Sequence, residues 1–407
     1  MPLYWIWLNE LNHVTHWQKQ RLLDTFGEPE SVYLAGQDRL SQVAGMDEKA
    51  MKALRKKDLS QARQILADCK TADVRVVHCR QEGYPARLRN IEDPPVVLYY
   101  RGILPDWQAQ PVIGVVGTRK ASIYGTRTTG VITAQIAACG GLVITGGAEG
   151  IDTAALKAAL DMDSPTVTVF GCGVDVVYPK KNQELFDRVL KKGCIISEYP
   201  PNTRADGWRF LKRNRLISGI SNGVLVAEAP MRSGALNTAE HALTQGRDVY
   251  TVPGNLGVDS CMGSNLLLQR GAFAVMQGWD ILRQYENLYP GKVKNVQPPT
   301  EKLEKLALEK VAQQPQIPGE NPGQKEKTGK KSIDNLNKST YSVVNEKLPR
   351  LTEAEEAVYA LLSQQPQFPD EVLAQCELPF GRVQSILTKL TVLGLVVQHP
   401  GGQVSRK

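Results

Sequence analysis

The sequence predicts an α/β fold: a doubly wound, mostly parallel sheet with an N-terminal helical domain and a C-terminal winged-helix domain. Three observations carry that prediction. Short apolar runs alternate with amphipathic helical stretches over residues 74–274, the pattern of right-handed βαβ units. The runs from Ile113 onward are apolar throughout, as strands covered on both faces must be. The chain beyond residue 351 changes pattern again and reads as three helices followed by a small hairpin.

Residues 1–80 read as a helical domain, with helices over 18–26, 37–43, 48–54 and 59–72. Leu40-Ser-Gln-Val-Ala-Gly-Met46 resembles the hairpin of a helix-hairpin-helix or SAM-like unit, its glycine permitting the reversal, the alternative being a helical bundle stapled to its neighbour. Residues 81–290 form the sheet domain. Its strands fall at 74–79, 96–99, 113–116, 142–145, 166–170, 194–197, 223–227 and 248–252, the first beginning ahead of the boundary. Helices over 126–139, 152–160, 183–191, 235–245 and 264–270 alternate with them, an extended Rossmann-like order. Residues 291–350 are rich in Pro, Gln, Lys, Glu and Asn. Such a segment buries too little to offset its ordering entropy, so it reads as a disordered linker. In residues 351–407, Leu351, Ala354, Val358, Leu361 and Leu362 mark one helix, and Pro369-Asp-Glu371 opens a second. Val383, Ile386, Leu387, Leu390 and Leu393 mark a third, before strands on either side of Pro400-Gly-Gly402.

Composition narrows the function. The 407 residues are 42% hydrophobic and 22% charged, ordinary for a globular protein. No apolar run approaches the ~20 residues of a membrane span, and the apolar N-terminus lacks a basic leader and cleavage site, so a secretory signal is not expected. Seven scattered cysteines without a Cys-x-x-Cys pair, and five dispersed histidines, suit reduced thiols in the cytoplasm and no metal site. The net charge is +7, but residues 1–290 hold 33 Lys/Arg against 29 Asp/Glu and residues 291–350 hold 12 against 7. Residues 351–407 hold 4 against 6. Local clustering therefore matters more than the total.

Ligands of a parallel α/β sheet bind beyond the carboxyl ends of its strands. There the sequence places Gly114-Val-Val-Gly117-Thr118-Arg119-Lys-Ala-Ser122, then Thr145-Gly146-Gly147-Ala-Glu-Gly150, then Gly171-Cys-Gly173. Glycines let backbone approach an anion, a following helix N-terminus offers free N–H groups, and Arg119 adds a bidentate fork. Residues 180–215 hold 10 Lys/Arg against 4 Asp/Glu, including Lys180-Lys181-Asn182 and Arg213-Asn-Arg215. Their interleaving with Tyr178, Trp208 and Phe210 suits a phosphate track with bases stacked beside it. The dinucleotide fingerprint and the Gly-Lys-Ser/Thr phosphate loop are both absent, which speaks against NAD, FAD and P-loop ATPase chemistry and leaves no cofactor implied. Cys172 has no histidine near it in sequence, His241 has no nucleophile at helical spacing, and Asp152 reads as a helix-capping acid.

These residues resemble the DNA-processing protein A family (DprA/Smf). The resemblance runs in order through Gly83-Tyr-Pro-Ala-Arg-Leu88, Asp93-Pro-Pro-Val-Val-Leu-Tyr99, Gly117-Thr-Arg119, Gly150-Ile-Asp152 and Gly173-Val-Asp-Val-Val-Tyr-Pro179. It continues through Ser197-Glu-Tyr-Pro200, Arg213-Asn-Arg-Leu-Ile-Ser-Gly219, Ser233-Gly-Ala-Leu-Asn-Thr-Ala239, Val252-Pro-Gly254 and Gly263-Ser-Asn265. It implies a non-enzymatic protein that binds single-stranded DNA without sequence preference, loads the RecA recombinase during natural transformation, and forms a homodimer through the Rossmann-like domain. It implies a DNA pocket at Gly117, Thr118 and Arg119, the 145–150 loop, and Lys180 or Lys181, to which the basic cluster adds Arg213 and Arg215. The chain departs from the family at Thr145-Gly-Gly-Ala148, at Leu156 in place of a histidine, and at Leu211-Lys212 where a proline precedes Arg-Asn-Arg. A second reading is a nucleotide phosphoribohydrolase of the LOG type, with Glu240 of Ser233-Gly-Ala-Leu-Asn-Thr-Ala-Glu240 as its acid. The winged helix is net −2, with Arg382 and Lys389 alone on its presumed recognition helix, which favours a protein-contact or regulatory role over DNA binding.

Overall fold

The computed structural model describes residues 2–302 and, further on, residues 352–365, 367–376, 378, 383, 386–387, 390, 395–398 and 403–406. The chain divides into two compact units, Met1–Ile317 and Pro318–Lys407. In the first, six helices precede the sheet: α1 (Pro2–Glu10), α2 (His16–Phe26), α3 (Pro29–Leu34), α4 (Gln37–Ser41), α5 (Glu48–Arg55) and α6 (Ser60–Thr71). The sheet unit then runs β1 (Arg75–His78), β2 (Val97–Gly102), β3 (Val112–Val116), α7 (Ile123–Ala138), β4 (Leu142–Thr145), α8 (Ile151–Asp161), β5 (Thr166–Phe170), α9 (Gln183–Lys192) and β6 (Cys194–Ser197). It closes with α10 (Gly207–Ile220), β7 (Gly223–Val226), α11 (Gly234–Thr244), β8 (Asp248–Thr251), α12 (Met262–Gln269), β9 (Phe273–Ala274) and α13 (Gly278–Leu282).

The nine strands lie in the order β1-β2-β6-β5-β4-β3-β7-β8-β9. From β6 to β9 every pair is parallel, while β1–β2 and β2–β6 are antiparallel. Strands β3 to β7 are fully buried, which is why their sequences do not alternate.

Several features depart from the sequence expectation. The apolar stretch at the N-terminus is α1, whose Trp5, Ile6, Trp7 and Leu8 are all buried. The 1–80 segment is not separate from the sheet: its helices share one core with Val97, Tyr99, Phe170 and Ile195, and β1 is a sheet strand. The segment expected as linker from residue 291 stays packed at first. Val293 is buried, Lys294 N donates to Cys139 O (3.1 Å), and Lys302 Nζ donates to Asp161 O (2.8 Å). The expected linker residues 303–350 lie outside the described residues.

The hairpin glycine Gly45 has φ of +81°, and a Cβ there would run into the Trp17 indole, over which the Arg21 guanidinium sits at 4.6 Å. The second unit contains helices Glu353–Ala360 and Pro369–Leu373 and an antiparallel hairpin of Val396–Gln398 with Val404–Arg406. Thr352 caps the first helix, its N–H donating to Glu355 Oε2 (3.0 Å). Val383, Ile386, Leu387 and Leu390 are buried with Val358, Leu362, Val372, Val396 and Val404 in its core. Arg382 and Lys389 lie outside the described residues.

Candidate nucleic-acid interface

The order of the sheet locates a crevice. From β3 the chain builds outward through β4, β5 and β6, then returns to add β7 on the other side. Connections therefore diverge between β3 and β7, and ligands of open α/β sheets bind at such a switch point. A cleft of about 480 Å³ lies there. Its walls are Gly117, Thr118, Arg119 and Lys120 after β3, Ala148 and Asp152 after β4, Pro230, Arg232 and Ser233 after β7, and Phe210, Leu211 and Arg213 of α10.

Glycine brings the first two loops together. Gly150 has φ of +82°, and a Cβ there would press on Thr118 O and lie 2.7 Å from Arg119 O. A Cβ on Gly117 would lie 2.5 Å from Ile151 Cγ1 and 2.8 Å from Glu228 O. Ile151 N donates to Thr118 O (3.2 Å) and Thr118 N donates to Glu228 O (2.8 Å), so all three loops are joined by backbone.

The structure reassigns Ser122. Its Oγ accepts from Gly125 N (2.9 Å) as the cap of α7, and its own N–H donates to Glu228 Oε2 (2.9 Å). These two N–H groups at the start of α7, expected to face a phosphate, are thus satisfied internally.

The floor of the cleft is Arg213. Although basic, it is 4% exposed, and its Nη1 donates to Gly146 O (2.7 Å) and to Val169 O. Asp152 is also buried and accepts from Ala148 N (3.2 Å). Burial lowers the Arg213 guanidinium to about 10, a fall the Asp152 charge resists. Burial raises the Asp152 carboxyl, and the Arg213 charge opposes that rise. Thr145, Gly146 and Gly147 are buried around this pair. Asn182 is buried too, its Nδ2 donating to Gly147 O (3.1 Å) and Thr153 Oγ1 (2.9 Å), so it shapes the second loop from behind.

Arg215 was expected in the pocket and is withdrawn from it. Its Nη2 lies 2.6 Å from Glu198 Oε2 and 3.2 Å from Asp93 Oδ2, and Asp93 Oδ1 meets His16 Nε2 at 2.7 Å. Burial works against the Asp93 charge, but the hydrogen bond and charge of His16, with Arg215 and Lys212 beyond, hold its carboxyl down to about 2. Arg215 is a clamp between the helical segment and the sheet. The reason the sequence reading missed this is that residues 207–220 form α10, where buried Arg213, Asn214 and Arg215 precede the apolar Leu216, Ile217 and Ile220 and break the apolar periodicity that signals a helix.

Three exposed cations remain at the cleft: Arg119, Lys120 and Arg232, none paired with a carboxylate among the described residues. Lys180 and Lys181 are exposed beside the cleft and do not wall it; Lys181 Nζ lies 3.4 Å from Glu149 Oε2, on the second glycine loop. The Arg119 guanidinium sits 5.6 Å from the Phe210 ring centroid, and Phe210 stacks on Tyr178 at 5.1 Å and 29°. Arg119 and the Lys180 segment therefore share one rim, joined by two aromatic rings. Much of the remaining charge in 180–215 is paired, as Arg188 with Asp161, Lys192 with Asp163 and Arg209 with Asp206. Sequence reasoning missed Lys120 and Arg232; the loop after the strand at 223–227 would have given Arg232, had the same carboxyl-end rule been applied there.

Burial pushes the Cys172 thiol up to about 12. Glu240 is exposed on α11 and does not wall the cleft. Among the described residues no group of three His, Cys, Asp or Glu could hold a metal ion, and no helix is long and apolar enough to cross a membrane.

The family described as DNA recombination-mediator protein A matches residues 75–286, and the DprA winged helix domain matches residues 345–402. The chain is 29% identical over 415 residues to Protein Smf of Synechocystis sp., covering 99% of this chain and 98% of that one. It is 42% identical over 204 residues to the DNA processing protein DprA of Streptococcus pneumoniae, 50% of this chain and 71% of the relative. The X-ray structure of DprA from Streptococcus pneumoniae superposes with a TM-score of 0.62 at 31% identity, covering 70% of this chain and 98% of that one.

Proposed function

The chain belongs to the DNA recombination-mediator protein A family, and on that premise we propose that it binds single-stranded DNA without sequence preference, catalyses no reaction on it, and delivers it to the RecA recombinase in DNA uptake and recombination. The observation that carries this reading is the single rim formed by Arg119, Lys120 and Arg232, continued over Phe210 and Tyr178 to Lys180. Cations there meet phosphates, and ring faces accept any base, because every base has a π-face.

Asp152 faces the Arg213 charge, Glu228 Oε2 accepts from Ser122 N (2.9 Å) and Glu240 lies outside the cleft lining, which supports a binding role over a phosphoribohydrolase. Leu243, Phe273 and Met276 are exposed at or beside β9, an edge strand of the sheet, and support self-association of the Rossmann-like domain.

Anisotropy titrations with labelled oligo-dT and with a duplex of equal length, alongside gel filtration, test the reading. Preferential binding of the single strand by a dimer is expected. Equal affinity for the duplex, or release of base from AMP, would overturn it.

A further inference from the structure

A second hollow, also about 480 Å³, lies in the helical segment between the end of α1, α5 and the start of α6. Its floor is apolar: Trp7, Leu11, Ala53 and Ala62. Two alanines face it, where Met51, Leu54 and Ile65 on the same helices fill the core. Three lysines stand on its rim, against Glu10 and Asp58 among the other lining residues. Lys49, Lys52 and Lys56 line it with Ala53, and positions 49, 52, 53 and 56 form one face of the α5 helix and its C-cap. All three lysines are exposed, and none is paired with a carboxylate among the described residues. The macrodipole favours a cation in the last turn of α5, but it does not call for three around an apolar hollow. Like charges at this spacing repel one another.

We propose that this hollow docks an acidic peptide segment of a partner protein, with one large apolar side chain seated on Trp7, Leu11, Ala53 and Ala62 and flanking carboxylates meeting the three lysines. Glu10, at the edge of the hollow, accepts from Asn9 Nδ2 (3.0 Å) and Gln61 Nε2 (3.2 Å). Nucleic acid fits the hollow worse. Its one aromatic wall, Trp7, is only 4% exposed and presents no face for base stacking. The chain's own 291–350 segment carries 12 Lys/Arg against 7 Asp/Glu and shares the sign of the rim.

The test uses the full chain and a short fluorescein-labelled peptide of aspartates around one central leucine. Binding is expected, weakened about tenfold or more by Lys49→Glu/Lys52→Glu/Lys56→Glu, by Ala53→Phe, and by serine in place of the peptide's leucine. Oligo-dT affinity should be unchanged in both protein variants. Absence of peptide binding, or binding insensitive to the lysine reversal or to the serine peptide, overturns the proposal. So does a fall in oligo-dT affinity on lysine reversal, which would make the rim a nucleic-acid surface. A rise in peptide affinity when residues 303–350 are deleted would show that the chain's own segment is the occupant. Should Ala53→Phe fail to fold, the lysine variant, which changes only exposed side chains, and the serine peptide still decide.

Discussion

Arg119→Ala separates binding from folding more cleanly than any other change at the cleft. The side chain is exposed and makes no ion pair among the described residues, so its loss should change stability by no more than about 0.5 kcal/mol. Its contact with Phe210, 5.6 Å from the ring centroid, is worth about as much at an exposed site. Against a phosphate the same guanidinium contributes charge-assisted hydrogen bonds worth about 1.5–3 kcal/mol. At 1.4 kcal/mol per decade this is a loss of about 10- to 150-fold in affinity. Removing one phosphate contact should also lower the slope of log K against log salt by about 0.7. Arg119→Lys keeps the charge and loses the fork, so it should retain the slope and lose only part of the affinity. The assay is fluorescence anisotropy with oligo-dT at several salt concentrations, with thermal melts confirming equal folding. Unchanged affinity and slope in a folded Arg119→Ala protein would refute the phosphate-cradle argument.

Gly150→Ala should lower both the melting temperature and strand affinity, because a Cβ at φ of +82° pushes the second loop off Thr118 and Arg119; wild-type melting and binding would contradict that. Lys19 provides a pH signature. Burial holds its ammonium down to about 8, against the charges of Glu10 and Asp93. Between about 8 and 10.5 the unfolded chain keeps a proton that the folded chain has shed, so this group adds stability as pH rises through that window, up to about 3 kcal/mol. Urea midpoints from pH 7.5 to 10.5 should show a rise in wild type relative to Lys19→Met; parallel curves would exclude it. Deletion of residues 351–407 should leave oligo-dT affinity within about twofold, since the described cations of the cleft all lie in the first unit; a tenfold loss would assign DNA contact to the winged helix.

Local sequence determined a great deal here. Strands at 142–145, 166–170 and 194–197 were legible to the residue because a parallel strand buried on both faces must be a short apolar run. The glycine loops were legible because backbone can approach an anion, or another loop, only where no Cβ intervenes. What the sequence could not decide was which cations reach solvent. Arg119, Arg213 and Arg215 are the same residue type within a family of basic motifs, yet one rims the cleft, one lies under its floor and one clamps α2 to the sheet through Asp93. The reversal of strand order at β3 and β7 made that choice, setting α10 along the cleft so that Arg213 and Arg215 are buried. Charge is written in the residue, but whether it meets water, a carboxylate or a phosphate depends on contacts made far along the chain.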